Sequence, residues 1–85
     1  MDIRPELIKI LELIAEKSKN NASTDVNSNT ILKDAGLPEE EVRNYLEELK
    51  SLKLIAETTR VSGEDIAMLS ITQEGLQQLK NQELR

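Results

Sequence analysis

Two amphipathic segments separated only by Gly36 and Leu37 constrain the fold of this chain more than any other feature. The first segment predicts a short helix over residues 28–35, with Asn27 or Ser28 as its N-cap. Gly36 suits the position after a helix, because glycine adopts the left-handed backbone conformation there at little steric cost. The residues of this helix predicted to point inward are Ile31, Leu32 and Ala35. The pattern therefore predicts two consecutive helices joined by a tight turn.

The second segment predicts a longer helix over residues 38–52. Pro38 suits the first helical position, and the three glutamates at 39–41 place negative charge where the helix dipole favours it. The apolar residues recur at spacings of three and four and form one stripe: Val42, Tyr45, Leu46, Leu49 and Leu52. Leu46 lies at the centre of this stripe, so the sequence predicts it as a central core residue.

A β-favouring pattern follows and predicts a hairpin over residues 54–72. Threonine and branched side chains mark its first strand, a Ser-Gly pair within residues 61–65 marks the turn, and an alternating apolar pattern marks the return strand. The residues of the return strand predicted to share one face are Ala67, Leu69 and Ile71. Thr72 is expected to cap a last helix over residues 73–82. A very short strand is also expected at residues 24–26.

The N-terminal segment predicts a helix over residues 5–18 with an unusually wide apolar stripe. Its apolar residues are Leu7, Ile8, Ile10, Leu11, Leu13, Ile14 and Ala15. This stripe covers more than half of the helix circumference, so two partners are implied for it. The second partner is either the C-terminal helix or a second protein chain. In the latter case Ile10 and Leu13 are the residues expected to remain free for that chain.

Composition limits the chain to a small set of functions. Eighty-five residues, 1–85, make one domain. The sequence has no cysteine and no histidine, so a disulfide framework, a thiolate metal site and a histidine base are excluded. We find no paired carboxylates and no activated nucleophile, and we therefore expect no catalysis, no metal and no cofactor. The longest apolar runs are too short to span a membrane, and a cytoplasmic protein is expected.

The net charge of −5 bears on possible partners. Duplex DNA is a dense line of negative charge, and proteins bind it largely through lysine and arginine contacts to phosphate. The basic residues of this chain are spread along the sequence rather than clustered. The charge balance therefore argues against a general affinity for DNA.

Taken together, the motifs resemble the winged helix-turn-helix domain of small MarR-like and PadR-like transcription regulators. The resemblance covers about residues 27–79. It rests on the Gly36-Leu37 turn, the spine of Val42, Leu46 and Leu49, the strand start Leu54-Ile55 and the sequence Ile71-Thr72-Gln73-Glu74-Gly75. It implies a mainly α fold with a small β-hairpin (α+β) in the order H1-(S1)-H2-H3-S2-wing-S3-H4.

The resemblance also implies a DNA-binding surface on the helix at 38–52, whose N-terminal part enters the major groove in such domains. The residues placed there are Glu40, Arg43, Asn44 and Glu47, and Arg60 lies near the wing. Arginine pairs with guanine and asparagine with adenine, so Arg43 and Asn44 have the chemistry of base readout. Double-stranded DNA, bound by a homodimer, is the partner this implies.

The same surface departs from the DNA-binding pattern in its charge. Glu39 and Glu41 join Glu40 in a run of carboxylates that phosphates would repel. A second function is therefore open: an acidic winged-helix module that binds protein and not DNA. Its partner would be a basic protein, held by Glu39 and Glu41 or by the apolar residues Ile10 and Leu13. The first function, a DNA-binding transcription regulator, is favoured because most domains of this architecture bind DNA, an argument by analogy.

Overall fold

Four helices and a three-stranded antiparallel sheet form the part of the chain that the computed structural model describes, residues 4–60 and 67–83. The elements in chain order are α1 (Pro5–Lys17), β1 (Val26–Asn27), α2 (Ser28–Asp34), α3 (Glu39–Ser51), β2 (Ile55–Arg60), β3 (Ala67–Ile71) and α4 (Gln73–Glu83). The predicted α+β class is confirmed. The predicted hairpin turn at residues 61–65 lies outside the described residues.

Helix α1 lies at the centre of the domain and packs against α2, α3, α4 and β3. Its wide apolar stripe is buried at Leu7, Ile10, Leu11, Ile14 and Ala15. The prediction that Ile10 remains free for a partner chain is wrong, since Ile10 is only 1% exposed. Ile10 is three residues from Leu7 and four from Ile14, so it shares their core-facing side. Leu13 is half-buried at the edge of the same core.

The turn between α2 and α3 forms as the sequence predicts. Asn27 caps α2, its Oδ1 accepting a hydrogen bond from the Asn29 amide at 2.8 Å. Gly36 has φ of 70°, in the left-handed region. The prediction for Pro38 is wrong by one position, because Pro38 is the N-cap and α3 begins at Glu39. The Pro38 carbonyl accepts the first bond of the helix, from the Val42 amide at 3.1 Å, while its extended ψ of 139° keeps it outside the helix.

Replacing Gly36 by alanine is expected to lower the free energy of unfolding by about 1–2 kcal/mol. A Cβ at this position would meet no atom within 4 Å, so the cost reflects only the left-handed backbone. Gly36→Val should cost more, because a β-branched residue is especially unfavourable there. Urea unfolding followed by circular dichroism measures both. Gly36→Asn is the control and should retain most of the stability, and an equal loss for asparagine and valine would contradict this interpretation.

Helix α3 ends in a left-handed residue that the sequence does not reveal. Lys53 has φ of 62°, although it is not a glycine. The Leu54 amide donates to the Leu49 carbonyl at 3.0 Å and the Lys53 amide to the Lys50 carbonyl at 3.0 Å. These are the bonds of a Schellman-type helix end. This turn directs the chain from α3 straight into β2.

The sheet has the strand order β1-β3-β2, with every pair antiparallel. Strand β1 lies at Val26–Asn27, so it starts two residues later and ends one residue later than expected from the sequence. The predicted inward face of the return strand is confirmed, since its three apolar residues Ala67, Leu69 and Ile71 are buried. The register between β2 and β3 shifts between Glu57 and Thr59, which makes Thr58 the additional residue of a bulge.

Helix α4 is fixed to the end of α3 through one threonine. Thr72 Oγ1 accepts from the Gly75 amide at 3.0 Å, so the predicted cap is confirmed. The same hydroxyl donates to the Lys53 carbonyl at 2.8 Å, and the Thr72 amide donates to the Leu54 carbonyl at 3.0 Å. The first turn of α4 therefore lies directly against the chain between α3 and β2.

Candidate nucleic-acid interface

The outer face of α3 carries most of the residues predicted to contact a partner. Its inner face buries Val42, Leu46 and Leu49. The helical spacing therefore turns the polar residues outward, and the exposed members of this set are Glu39, Glu40, Glu41, Asn44 and Glu47. Arg43 is on the same helix, with 40% of its side chain exposed. The predicted residues of α3 are thus all accessible to solvent on this helix, at least in part.

The two cations of this surface are both paired with carboxylates. Arg43 Nη2 lies 2.8 Å from Glu39 Oε1. Lys50 Nζ lies 2.8 Å from Glu47 Oε1 and 3.8 Å from Glu57 Oε1 on strand β2. Exposed i,i+4 pairs stabilise a helix by only about 0.3–0.5 kcal/mol. Arg43 can therefore leave Glu39 for another acceptor at small cost, whereas Lys50 is held from two elements.

A cleft of about 200 Å³ lies between α3 and the sheet. Arg43, Glu47, Lys50 and Glu57 supply its charged lining, and Leu46 and Leu69 are among its apolar residues. Ser28 also lines the cleft, and its hydroxyl accepts from the Ala67 amide at 3.0 Å. The two cations and two carboxylates give this cleft no excess of either charge. It offers hydrogen-bond donors and acceptors but no strong attraction for an anion.

Arg60 is the predicted contact that lies away from α3 in the chain. It ends strand β2, and Ala67 at the start of β3 is its partner in the register. The backbone therefore places Arg60 at the end of the hairpin where residues 61–66 connect the strands. This is the position expected from the sequence for a basic residue next to the hairpin turn.

An ion pair that sequence reasoning missed fixes the start of α1 to α3. The Arg4 guanidinium donates to the Glu48 carboxylate and lies 5.9 Å from the centroid of the Tyr45 ring. A cation at this distance from an aromatic face is attracted to it. Tyr45 packs against the core, as predicted, and here it also receives Arg4. Arg4 and Glu48 are 44 residues apart, so no local pattern indicates their contact.

The described residues contain no group of histidine, cysteine, aspartate or glutamate side chains that could hold a metal ion. Within the same part of the chain, no helix is both long and apolar enough to cross a membrane.

No protein-family model and no curated protein matches this sequence. Among solved structures, the chain is similar to a candidate DNA-binding protein from Ralstonia eutropha JMP134. That likeness has a TM-score of 0.76 and 26% sequence identity, and it covers 95% of this chain and 98% of the other. The chain is also similar to an Archaeoglobus fulgidus protein, with a TM-score of 0.76, 15% identity and coverage of 95% and 84%. The second likeness shows a shared fold alone.

Proposed function

We propose that this chain is a winged helix-turn-helix domain of the kind found in MarR-like and PadR-like regulators, and that it binds double-stranded DNA to regulate transcription. In this proposal α2 and α3 form the helix-turn-helix, and the β2–β3 hairpin is the wing. The observation that carries the proposal is the tight turn at Gly36 between α2 and α3, and the exposure of Asn44 and part of Arg43 on α3 supports it. The likeness to the Ralstonia eutropha protein over 95% of the chain supports it. The role is non-catalytic.

The proposed contacts follow from the chemistry of the α3 surface. Arg43 exchanges Glu39 for the O6 and N7 atoms of a guanine, and Asn44 pairs with an adenine. Glu40 and Glu47 can only accept hydrogen bonds, and in the major groove the N4 amino group of cytosine is the donor that suits them. Arg60, at the end of β2, contacts the DNA backbone. Each good bidentate contact to a base contributes roughly 1–3 kcal/mol of discrimination.

The acidic charge makes a single domain a weak binder, and a homodimer would compensate. Two linked domains bind two half-sites with an affinity well above that of either one alone. The outer face of α4, with Gln73, Gln77 and Lys80 exposed, is the surface used for such pairing in the proposal. Sedimentation with and without a DNA duplex distinguishes a dimer from a monomer.

A protein-binding role is the second candidate, and the pairing of the α3 cations favours it. Arg43 and Lys50 already have carboxylate partners within the domain. Glu40 and Glu41 remain exposed beside them, and a basic protein would be attracted to that surface. The glutamate-to-glutamine variants of α3 described next distinguish DNA binding from protein binding.

The triple change Glu39→Gln, Glu40→Gln and Glu41→Gln is expected to tighten DNA binding about tenfold at low salt. A carboxylate about 8 Å from a phosphate opposes binding by roughly 0.5 kcal/mol in water, and three of them by roughly 1.5 kcal/mol. Loss of the Glu39 carboxylate also removes one of the acceptors that compete with DNA for Arg43. Fluorescence anisotropy with mixed DNA duplexes over a salt series measures the effect, which should shrink as salt screens the charges.

The matched control changes three exposed glutamates elsewhere, Glu6, Glu16 and Glu74, to glutamine. It alters the net charge equally, so a gain confined to the α3 variant locates the interface on α3. Adding Arg43→Ala to the α3 variant should abolish most of the gain. If neither parent nor triple variant shows salt-sensitive DNA binding, and the triple change instead weakens a complex with a basic protein, the second function is correct.

A further inference from the structure

A groove between α1 and α2 has an apolar floor and an acidic rim. We call it the α1–α2 groove; its volume is about 200 Å³. Ile10, Leu13 and Ala35 form the floor, and Glu12, Glu16 and Asp34 supply the carboxylates of the rim. Lys9 is the cation among the described residues that line the groove. None of the described residues of α3 lines it. The groove is therefore separate from the proposed DNA interface, and an inference about it does not depend on that function.

The floor of the groove has room for an apolar side chain. Ile10 and Ala35 are almost completely covered by the core, with exposures of 1% and 9%. Leu13 is half-buried, so its outer part is the apolar surface still open to a partner. The groove is open to solvent, and its volume of about 200 Å³ is large enough for one leucine or methionine side chain placed beside Leu13.

The rim has excess negative charge. Asp34 Oδ2 lies 2.6 Å from Lys17 Nζ, and this hydrogen bond and the Asp34 charge raise the pKa of Lys17 above its usual value. Asp34 is thus already paired. Glu12 and Glu16 are exposed, and in the described part of the chain neither forms an ion pair. They are one helical turn apart, which places two carboxylates on the same side of the groove.

We infer that the α1–α2 groove is a docking site for a basic amphipathic segment of a partner protein. The segment inserts one apolar side chain beside Leu13, and lysine or arginine residues a helical turn away pair with Glu12 and Glu16. DNA does not fit the site, because its phosphates would face these carboxylates. A second copy of this chain is disfavoured because it carries a net charge of −5 as well. Opposite charge is therefore what selects the partner.

The test uses a synthetic helical peptide of leucine and lysine, and its binding is followed by amide shifts in two-dimensional NMR spectra of the full chain. The peptide should shift the amides of Leu13, Glu16 and Ala35, and the matched peptide with glutamate in place of lysine should not. Leu13→Gln and the pair Glu12→Gln, Glu16→Gln should each weaken binding at least about fivefold. Thermal unfolding close to that of the parent shows that these variants are folded.

A matched pair, Glu6→Gln with Glu74→Gln, removes the same charge from exposed positions outside the groove and should leave peptide binding unchanged. Equal weakening by this pair would overturn the proposal, since any acidic surface would then serve. A dimer in sedimentation that Leu13→Gln abolishes would also overturn it, by making a second copy the occupant. DNA affinity should be the same in Leu13→Gln and the parent, so this test can fail while the proposed DNA binding stands.

Discussion

Replacing Leu49 by alanine is expected to lower the free energy of unfolding by about 4–5 kcal/mol, the upper end of the range for a buried leucine. Leu49 is 0% exposed, so the missing atoms leave a closed cavity that neighbours cannot easily fill. A domain of this length has roughly 4–13 kcal/mol to lose. The Leu49→Ala variant should therefore retain little or none of its free energy of unfolding. Urea unfolding at low temperature, followed by circular dichroism, measures the loss.

Leu46→Ala is the comparison, with an expected loss of about 2–3 kcal/mol. Leu46 is buried but borders the cleft between α3 and the sheet. Water can enter the space that the smaller side chain leaves there, and so the penalty is lower. A greater loss for Leu46 than for Leu49 would mean that α3 is rotated about its axis relative to the core.

Gly75→Ala is expected to destabilise the domain by about 1–3 kcal/mol through overpacking, although alanine is the better helix former. A Cβ on Gly75 would collide with the backbone carbonyl oxygen of Leu54 and would lie 2.8 Å from Ile71 Cγ1. Since the obstacle includes backbone atoms, α4 itself has to move away. Gln77→Ala on the exposed side of α4 is the control and should change stability by less than about 0.5 kcal/mol. A more stable Gly75→Ala variant would show that α4 does not lie so close.

The parts of the fold that follow from local chemistry could be predicted from the sequence. Gly36 and Asn27 mark the ends of α2 because each supplies a specific backbone conformation or hydrogen bond. The apolar stripe predicted for α3 faces the core, but its spacing does not indicate whether Leu46 or Leu49 contributes more to stability. That ranking depends on the cleft, which is formed by the sheet. The left-handed Lys53 had no signal either, because nothing in its side chain requires that conformation.

For the surface residues too, the sequence predicts what helical spacing decides and not what tertiary packing decides. Spacing along α3 was enough to place Arg43 and Asn44 on one outer face. It could not show that Lys50 also approaches Glu57, since that contact depends on how β2 leaves the helix. The prediction that Ile10 is free for a partner chain is wrong because the apolar stripe of α1 is wide. The sequence does not show that four other elements pack around this helix. Long-range packing decided both cases.

The double role of Thr72 joins the start of α4 to the end of α3 through a single hydroxyl group. Its hydroxyl caps α4 and at the same time holds the carbonyl of Lys53, the residue at which the chain leaves α3. Because Gly75 has no side chain, α4 can lie directly against the backbone of Leu54 at the same junction. A ligand that displaced the start of α4 would therefore act directly on the backbone at which α3 ends, through the hydrogen bonds of Thr72 to Lys53 and Leu54. Under the proposed function, this junction would couple an event at α4 to the position of α3 on the DNA.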